Sequence, residues 1–301
     1  MANAETYPSK QSISGHTRVF GLVGHPVRHS LSPRMHTALF EKFGMDAVYV
    51  AFDVDPNQAG RVADAIRVMD LVGVNLTVPF KEQILPDLDT ITLAAEEAGA
   101  VNVVTQVDGV LVGYNTDGEG LISSLDEEHD FDPKGTHCVI LGAGGAARAI
   151  AASLAVSGAD SVVLLNRTKA RSQGACAHLS KAIPTCEFSF APLNAAAFEI
   201  AAKNADLVVN SLGGGAAEVV ETFSVSSLPE RVIWVDINYW MENPPCLDAC
   251  AKRGLRTSDG LGMLVHQGAL SFELFTGQPI DPYELKRIIT QARTPKDGIS
   301  V

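Results

Sequence analysis

HCVILGAGGAARAIAASLAVSGADSVVLLNRTKAR, residues 137–171, is the stretch that decides the fold. An apolar run, His137–Leu141, leads into Gly142-Ala143-Gly144-Gly145-Ala146-Ala147, and an alanine-rich helical segment follows. Such a loop permits a tight turn, brings backbone N–H groups close to a pyrophosphate and aims the positive end of a helix at it. Alanine stands where the third glycine of the common pattern falls, an accepted variant, and a lone glycine pattern also describes an ordinary tight turn. The context is what narrows it. The next strand, SVVLLN, ends in Asn166-Arg167-Thr168-Lys169-Ala170-Arg171, where an NAD-binding site places an acid for the ribose 2′-hydroxyl. Arginines there attract a 2′-phosphate instead. At roughly 1.5–3 kcal/mol per charge-assisted contact, two of them favour NADP over NAD by about two to four decades. The alternative for the arginines is a solvated basic loop.

On both sides of this stretch β and α patterns alternate. Upstream, Arg18–Val23 reads as a strand, and Ser32-Pro33 opens a helix that Gly44 ends, with Ser32 as N-cap. Val48–Val54 reads as a strand, Asn57–Arg67 as a helix, residues 71–78 as a buried strand ending at Pro79, and Leu93–Ala98 as a helix. Two short strands, 101–106 and 110–115, flank Asp108-Gly109, a hairpin turn signal. A helix from residue 116 then leads to the restart at His137, which places a domain boundary near residue 118. Downstream, Leu207–Asn210 and Val232–Ile237 continue a second sheet, and Met263–Phe275 and Pro282–Gln291 are helical and long enough to return to the first domain. The expected fold is α/β: an N-terminal domain with a mostly parallel sheet, residues 1–117, completed by about 259–301, and a Rossmann-like domain, residues 118–258.

At 301 residues the chain supports two domains, each with a core. It is 46% hydrophobic and 19% charged with 26 glycines, the balance of a packed α/β protein, although the first dozen residues read as a disordered lead-in. A formal net charge of −12 argues against non-specific nucleic-acid binding and against adhesion to anionic lipid, but not against small anions held locally. Cys138, Cys176, Cys186, Cys246 and Cys250 are scattered and odd in number, as expected of free thiols in a reducing compartment. Cys246 and Cys250 share a helical face, and His25, His29 and His36 lack a carboxylate at ligand spacing, so no metal is expected. With neither a signal-peptide pattern nor a long apolar run, the protein is expected to be cytoplasmic.

Three polar constellations outside the glycine loop suggest a reacting site. Ser30-Leu31-Ser32-Pro33 sets two hydroxyls at a helix N-terminus, a place suited to a carboxylate; alone, Ser32 is equally an N-cap. Asn75-Leu76-Thr77-Val78-Pro79-Phe80-Lys81 and Asn115-Thr116-Asp117-Gly118 each end a strand, where open α/β sheets bind ligands.

With Gly99-Ala100-Val101-Asn102, the glycine loop, Asn166-Arg167-Thr168, and Asp259-Gly260-Leu261-Gly262-Met263-Leu264-Val265 followed by Gln267, these motifs make the chain closely similar to the shikimate dehydrogenase family over nearly its whole length. The resemblance implies an NADP-dependent oxidoreductase that interconverts 3-dehydroshikimate and shikimate on the route to aromatic amino acids. It implies Lys81 and Asp117 as the catalytic pair that handles a hydroxyl proton while hydride passes to or from the nicotinamide. It further implies Ser30, Ser32 and Tyr239 at the substrate carboxylate, with Thr77, Asn102 and Gln267 at its hydroxyls. Gly142, Ala143, Gly144, Gly145, Ala146, Asn166, Arg167, Thr168, Arg171, Ile237 and Gly260 are the cofactor positions. Carbonyl reduction needs a proton donor at the developing alkoxide, and a lysine steadied by a carboxylate in a cleft supplies one. The partners expected are small molecules, and the assembly a monomer or homodimer. Two departures stand out: Ser211-Leu212-Gly213-Gly214-Gly215-Ala216 replaces the family's usual sequence beside the nicotinamide, and Trp240 follows Tyr239. A relative acting on quinate or an aminoshikimate, or a non-catalytic NADP-binding sensor, are the alternatives.

Overall fold

The computed structural model describes residues 13–213, 217–241 and 244–292, so the lead-in expected at the N-terminus and most of the glycine-rich 213–216 segment lie outside the described residues. Six strands build the first sheet: β1 (Arg18–Gly24), β2 (Ala47–Asp53), β3 (Gly73–Leu76), β4 (Thr90–Ile91), β5 (Val103–Val107) and β6 (Val110–Tyr114), in the order β2-β1-β3-β5-β6-β4. The pairs β1–β2, β1–β3 and β4–β6 are parallel, whereas β5 runs antiparallel to both its neighbours. Between β5 and β6 the reversal follows from the tight turn, where Asp108 and Gly109 both take positive φ, the pair of left-handed residues a two-residue hairpin requires. Helices α1 (Ser32–Lys42), α2 (Val62–Val68), α3 (Phe80–Gln83) and α4 (Leu93–Ala98) connect these strands.

The second sheet holds β7 (His137–Leu141), β8 (Ser161–Asn166), β9 (Glu187–Pro192), β10 (Leu207–Asn210), β11 (Ile233–Asp236) and β12 (Arg256–Ser258). All its pairs are parallel, and its order, β12-β11-β10-β7-β8-β9, is that of a doubly wound dinucleotide-binding sheet read from one edge. Strands buried on both faces need apolar residues at successive positions, and β7, β10 and β11 show this in Cys138–Leu141, Leu207–Val209 and Ile233–Val235, all buried. Helices α6 (Gly145–Val156), α7 (Lys169–Ala182), α8 (Ala195–Ala202), α9 (Ala217–Glu221) and α10 (Leu247–Lys252) lie between its strands in the chain.

Helix α5 (Asp117–His129) joins the two sheets, and its Leu121 and Leu125 share a core with the alanines of α6. Helices α11 (Leu261–Thr276) and α12 (Pro282–Ala292) return to the first sheet, burying Phe272, Phe275, Leu285 and Ile289 against Phe20, Met35, Leu39 and Phe40. At about 25 cal/mol per Å² of apolar surface, each such side chain contributes roughly 1.5–3 kcal/mol, which is why α11 and α12 stay docked there.

Three local expectations shift. Helix α1 begins one residue early: Leu31 is its N-cap and Ser32 its first residue, with the Ser30 hydroxyl accepting from the Ser32 N–H at 3.2 Å. The 57–67 segment divides into a 3-10 turn, Pro56–Arg61, and the short α2. Cys246 caps α10 at φ 62° rather than lying within it.

Candidate active site

Lys81 is carried by the single turn of α3 and Asp117 by the first residue of α5. Lys81 Nζ donates to Asp117 Oδ2 at 2.5 Å, and the side chains are only 12% and 5% exposed. The other carboxylate oxygen is held by Asn102, whose Nδ2 donates to Asp117 Oδ1 at 3.0 Å and to Thr116 Oγ1 at 2.9 Å, while its Oδ1 accepts from Thr116 N at 2.8 Å. Asn115 accepts from Asp117 N and donates to Ala100 O, fixing the turn that presents the acid. Both amide atoms of Asn102 are therefore engaged in orienting Asp117. A buried chain of polar groups continues behind it: Tyr49 OH donates to Asn75 Oδ1 at 2.7 Å, and Asn75 Nδ2 donates to Asn102 O and to Ser271 Oγ.

Of the other residues expected in the site, Ser30 is half-buried and Ser32 buried at the start of α1, and Thr77 is half-buried just beyond β3. Gln267 sits on α11 with Nε2 donating to Leu264 O, and its backbone carbonyl accepts from Thr116 Oγ1 at 3.3 Å, which ties α11 to the turn before Asp117. Tyr239 packs on the same cluster as Leu31 and Tyr114. Trp240 lies edge-on to Tyr239 and 4.7 Å from the His29 ring, so it spans from the second sheet to the loop that carries Ser30.

The glycine loop serves two purposes. Gly142 has φ 123°, and a Cβ there would meet Ser211 Oγ at 2.4 Å, so the turn needs glycine. A Cβ on Gly145 would stand 2.7 Å from Lys81 Cβ; its missing side chain admits the lysine rather than a phosphate. Gly144 is different: a Cβ there would find only Arg171 Nη2 at 3.9 Å. That open face, at a helix start with no side-chain cap, fits a pyrophosphate. Ala143 is buried and Ala146 half-buried in the same turn. Beyond β8, Asn166 Nδ2 donates to Thr168 O, Arg167 and Thr168 are exposed, and Arg171 occupies the first turn of α7. Gly260 caps α11 at φ 77°, and a Cβ there would come within 2.7 Å of the Asp236 and Ile237 backbone, so Gly260 and Ile237 touch each other.

Family models match along the chain: the shikimate dehydrogenase substrate binding domain over residues 22–104, shikimate / quinate 5-dehydrogenase over 126–244, and the shikimate 5′-dehydrogenase C-terminal domain over 260–284. A shikimate dehydrogenase (NADP(+)) of Alkaliphilus metalliredigens is 40% identical over 92% of this chain and 98% of its own length. The chain belongs to the shikimate dehydrogenase family. Among solved structures, shikimate 5-dehydrogenase from Listeria monocytogenes in complex with shikimate and NAD superposes with TM-score 0.82 at 33% identity, covering 93% of this chain and 99% of that one. That from Thermus thermophilus in complex with NADP(H) and shikimate gives 0.77 at 35% identity, covering 91% and 99%.

Within this shikimate dehydrogenase framework, several polar residues escaped the sequence reading. Asp236 is fully buried at the end of β11, accepting from Asn210 Nδ2 and from Asn238 N and Nδ2. Burial pushes its carboxyl up from the usual carboxylate range, against those three hydrogen bonds. Asn238 Nδ2 and Asn210 Oδ1 in turn hold the backbone of Leu212, so this cluster sets the start of the atypical loop. Its only signal in the sequence was a polar residue closing each of two apolar strands. His25 also has a carboxylate partner, Asp53 at 2.7 Å, too far along the chain to be visible as a spacing. Among the described residues no group of three or more His, Cys, Asp or Glu is placed to hold a metal, all five cysteines are free, and no helix is long and apolar enough to cross a membrane.

Proposed function

We propose that this chain interconverts 3-dehydroshikimate and shikimate with NADP(H), and that the site residues act as follows. Bound NADPH supplies the hydride. Lys81 gives a proton to the oxygen that becomes a hydroxyl and takes it back in the oxidative direction, while Asp117 keeps the ammonium in place. Ser30, Ser32 and Tyr239 receive the substrate carboxylate, using two hydroxyls at the start of α1 where the helix dipole favours an anion. Thr77 and Gln267 receive ring hydroxyls, and Asn102 serves chiefly by orienting Asp117. Gly142, Ala143, Gly144, Gly145 and Ala146 offer the pyrophosphate a backbone cradle. Asn166, Arg167, Thr168 and Arg171 take the adenosine 2′-phosphate, with Ile237 and Gly260 beside the nicotinamide.

The observation that carries the reading is the 2.5 Å Lys81–Asp117 pair, shielded from solvent and packed directly on Gly145 of the dinucleotide loop. It sets a proton donor beside the place where a hydride would arrive. The substrate-binding domain comprises residues 1–117 with 259–301, and the cofactor domain residues 118–258; the confinement of one sheet to residues 18–114 and the other to 137–258 supports these limits. An acidic chain with free thiols suits a cytoplasmic monomer or homodimer that takes small molecules rather than nucleic acid or membrane. Steady-state assays of shikimate and quinate, each with NADP and NAD, test the proposal. Shikimate with NADP should give the highest kcat/KM; a larger value for quinate with NAD would overturn it, and no turnover in any pairing would leave only a cofactor-binding protein.

A further inference from the structure

Glu82 follows Lys81 in α3, yet its carboxylate crosses to the second half of the molecule. Oε1 accepts from Arg171 Nη2 of α7 at 2.8 Å, and Oε2 stands 3.6 Å from Arg148 Nε of α6. Arg148 Nε is buried and has no hydrogen-bond partner, so its attraction to Glu82 is Coulombic. Arg171 is half-exposed, and its Nη2 lies beside the open face of Gly144.

We propose that Glu82 is a positioning residue for cofactor selection, ordering Arg171 on the first turn of α7 just beyond β8, so that the guanidinium meets the 2′-phosphate of NADP. The inference rests on the NADP reading above. The physical question is whether a carboxylate beside a phosphate-binding arginine helps or competes. Two guanidiniums face one carboxylate, so the cluster keeps a net charge of about +1. A guanidinium has five N–H donors, and the Glu82 contact engages one nitrogen, leaving others free for a phosphate. An arginine this exposed would otherwise have to be immobilised when the ligand binds, and prior ordering removes that cost. Orientation therefore outweighs competition, by an amount equal to fixing one long side chain, roughly three- to tenfold in affinity.

The test is calorimetric binding of 2′,5′-ADP and 5′-AMP to the full chain and to Glu82→Ala at one ionic strength. The expected result is a three- to tenfold weaker 2′,5′-ADP complex with 5′-AMP affinity changed less than twofold. Glu82→Gln, which keeps the side-chain volume, should fall between. In a chain already carrying Arg171→Ala, Glu82→Ala should have no further effect on 2′,5′-ADP. Equal weakening of both nucleotides, or no change in either, would make the contact a plain tie between the two halves and overturn the inference. Tighter 2′,5′-ADP binding would overturn it from the other side, as competition. If the unaltered chain itself fails to prefer 2′,5′-ADP to 5′-AMP, the NADP reading fails, which is distinguishable from a failure confined to Glu82.

Discussion

Asp117 owes its orientation to Asn102, and the two roles open to an asparagine here predict different kinetics. A side chain that contacted only a substrate hydroxyl would, when removed, chiefly raise KM. One that holds the carboxylate, as the 3.0 Å bond from Asn102 Nδ2 does, affects the step in which the lysine acts. Asn102→Ala should lower kcat with shikimate by about 10- to 100-fold, the usual weight of a hydrogen bond to a charged group, and change KM less than threefold. His36 gives a residue-scale prediction for stability. It is completely buried, stacked 4.5 Å from the Tyr49 ring, and burial lowers its pKa from 6.5 to about 3. A folded-state value below the unfolded one means that the unfolded chain takes up the proton first as pH falls. Stability is therefore full above pH 6.5 and lost as the pH drops toward 3, by about 2 kcal/mol at pH 5. Denaturant melts at pH 7 and pH 5 should show this loss, and His36→Phe, which keeps a ring against Tyr49, should reduce it by most of that amount. An unchanged pH dependence in the variant would place the effect elsewhere.

At the scale of elements, the start of α6 separates two demands that the glycine pattern runs together. Gly145→Ala would press on Lys81 Cβ, so kcat should fall roughly 10- to 100-fold through displacement of the lysine, the sensitivity typical of catalytic groups moved by an ångström. Gly144→Ala meets open space and should leave the melting temperature near that of the unaltered chain while raising KM for NADP. Equal effects of both alanines on KM alone would contradict the division. The elements that were legible are those with a strong period or strong punctuation: Leu93–Ala98, Ser161–Asn166 and Leu207–Asn210 fall where the residues placed them. Others carry little signal. In α8 only Phe198 and Ala202 are buried in an alanine-rich segment, which shows no apolar stripe, and β9 is an edge strand whose alternation spans only Glu187–Phe190 and buries no residue. Helix α7 buries Ser172, Ala175, Cys176 and Leu179, mostly small side chains, so it too carries little apolar signal. The site motifs were legible because each closes a strand or opens a helix. The Glu82–Arg171 and His25–Asp53 pairs were not, since long-range pairing leaves no local spacing to read.

At the scale of the molecule, β1 and α1 meet α12 in one core. Leu285 and Ile289 of α12 are 0% and 2% exposed against residues of β1 and α1, and Lys42 of α1 pairs with Glu284 of α12. Leu285→Ala should therefore destabilise the protein by about 2–5 kcal/mol in chemical denaturation although it lies far along the chain from the site; a loss below about 1 kcal/mol would show that the tail is not part of that core. The proposed catalysis draws on both halves of the chain. Lys81 comes from one sheet, the glycine loop from the other, and α5, which begins at Asp117, joins them. The most direct measurement is kcat for shikimate-dependent NADPH formation by Lys81→Ala at saturating NADP. A fall of roughly 10²–10⁴ is predicted, and a kcat near that of the unaltered chain would contradict the assignment of Lys81 as the proton-transferring group.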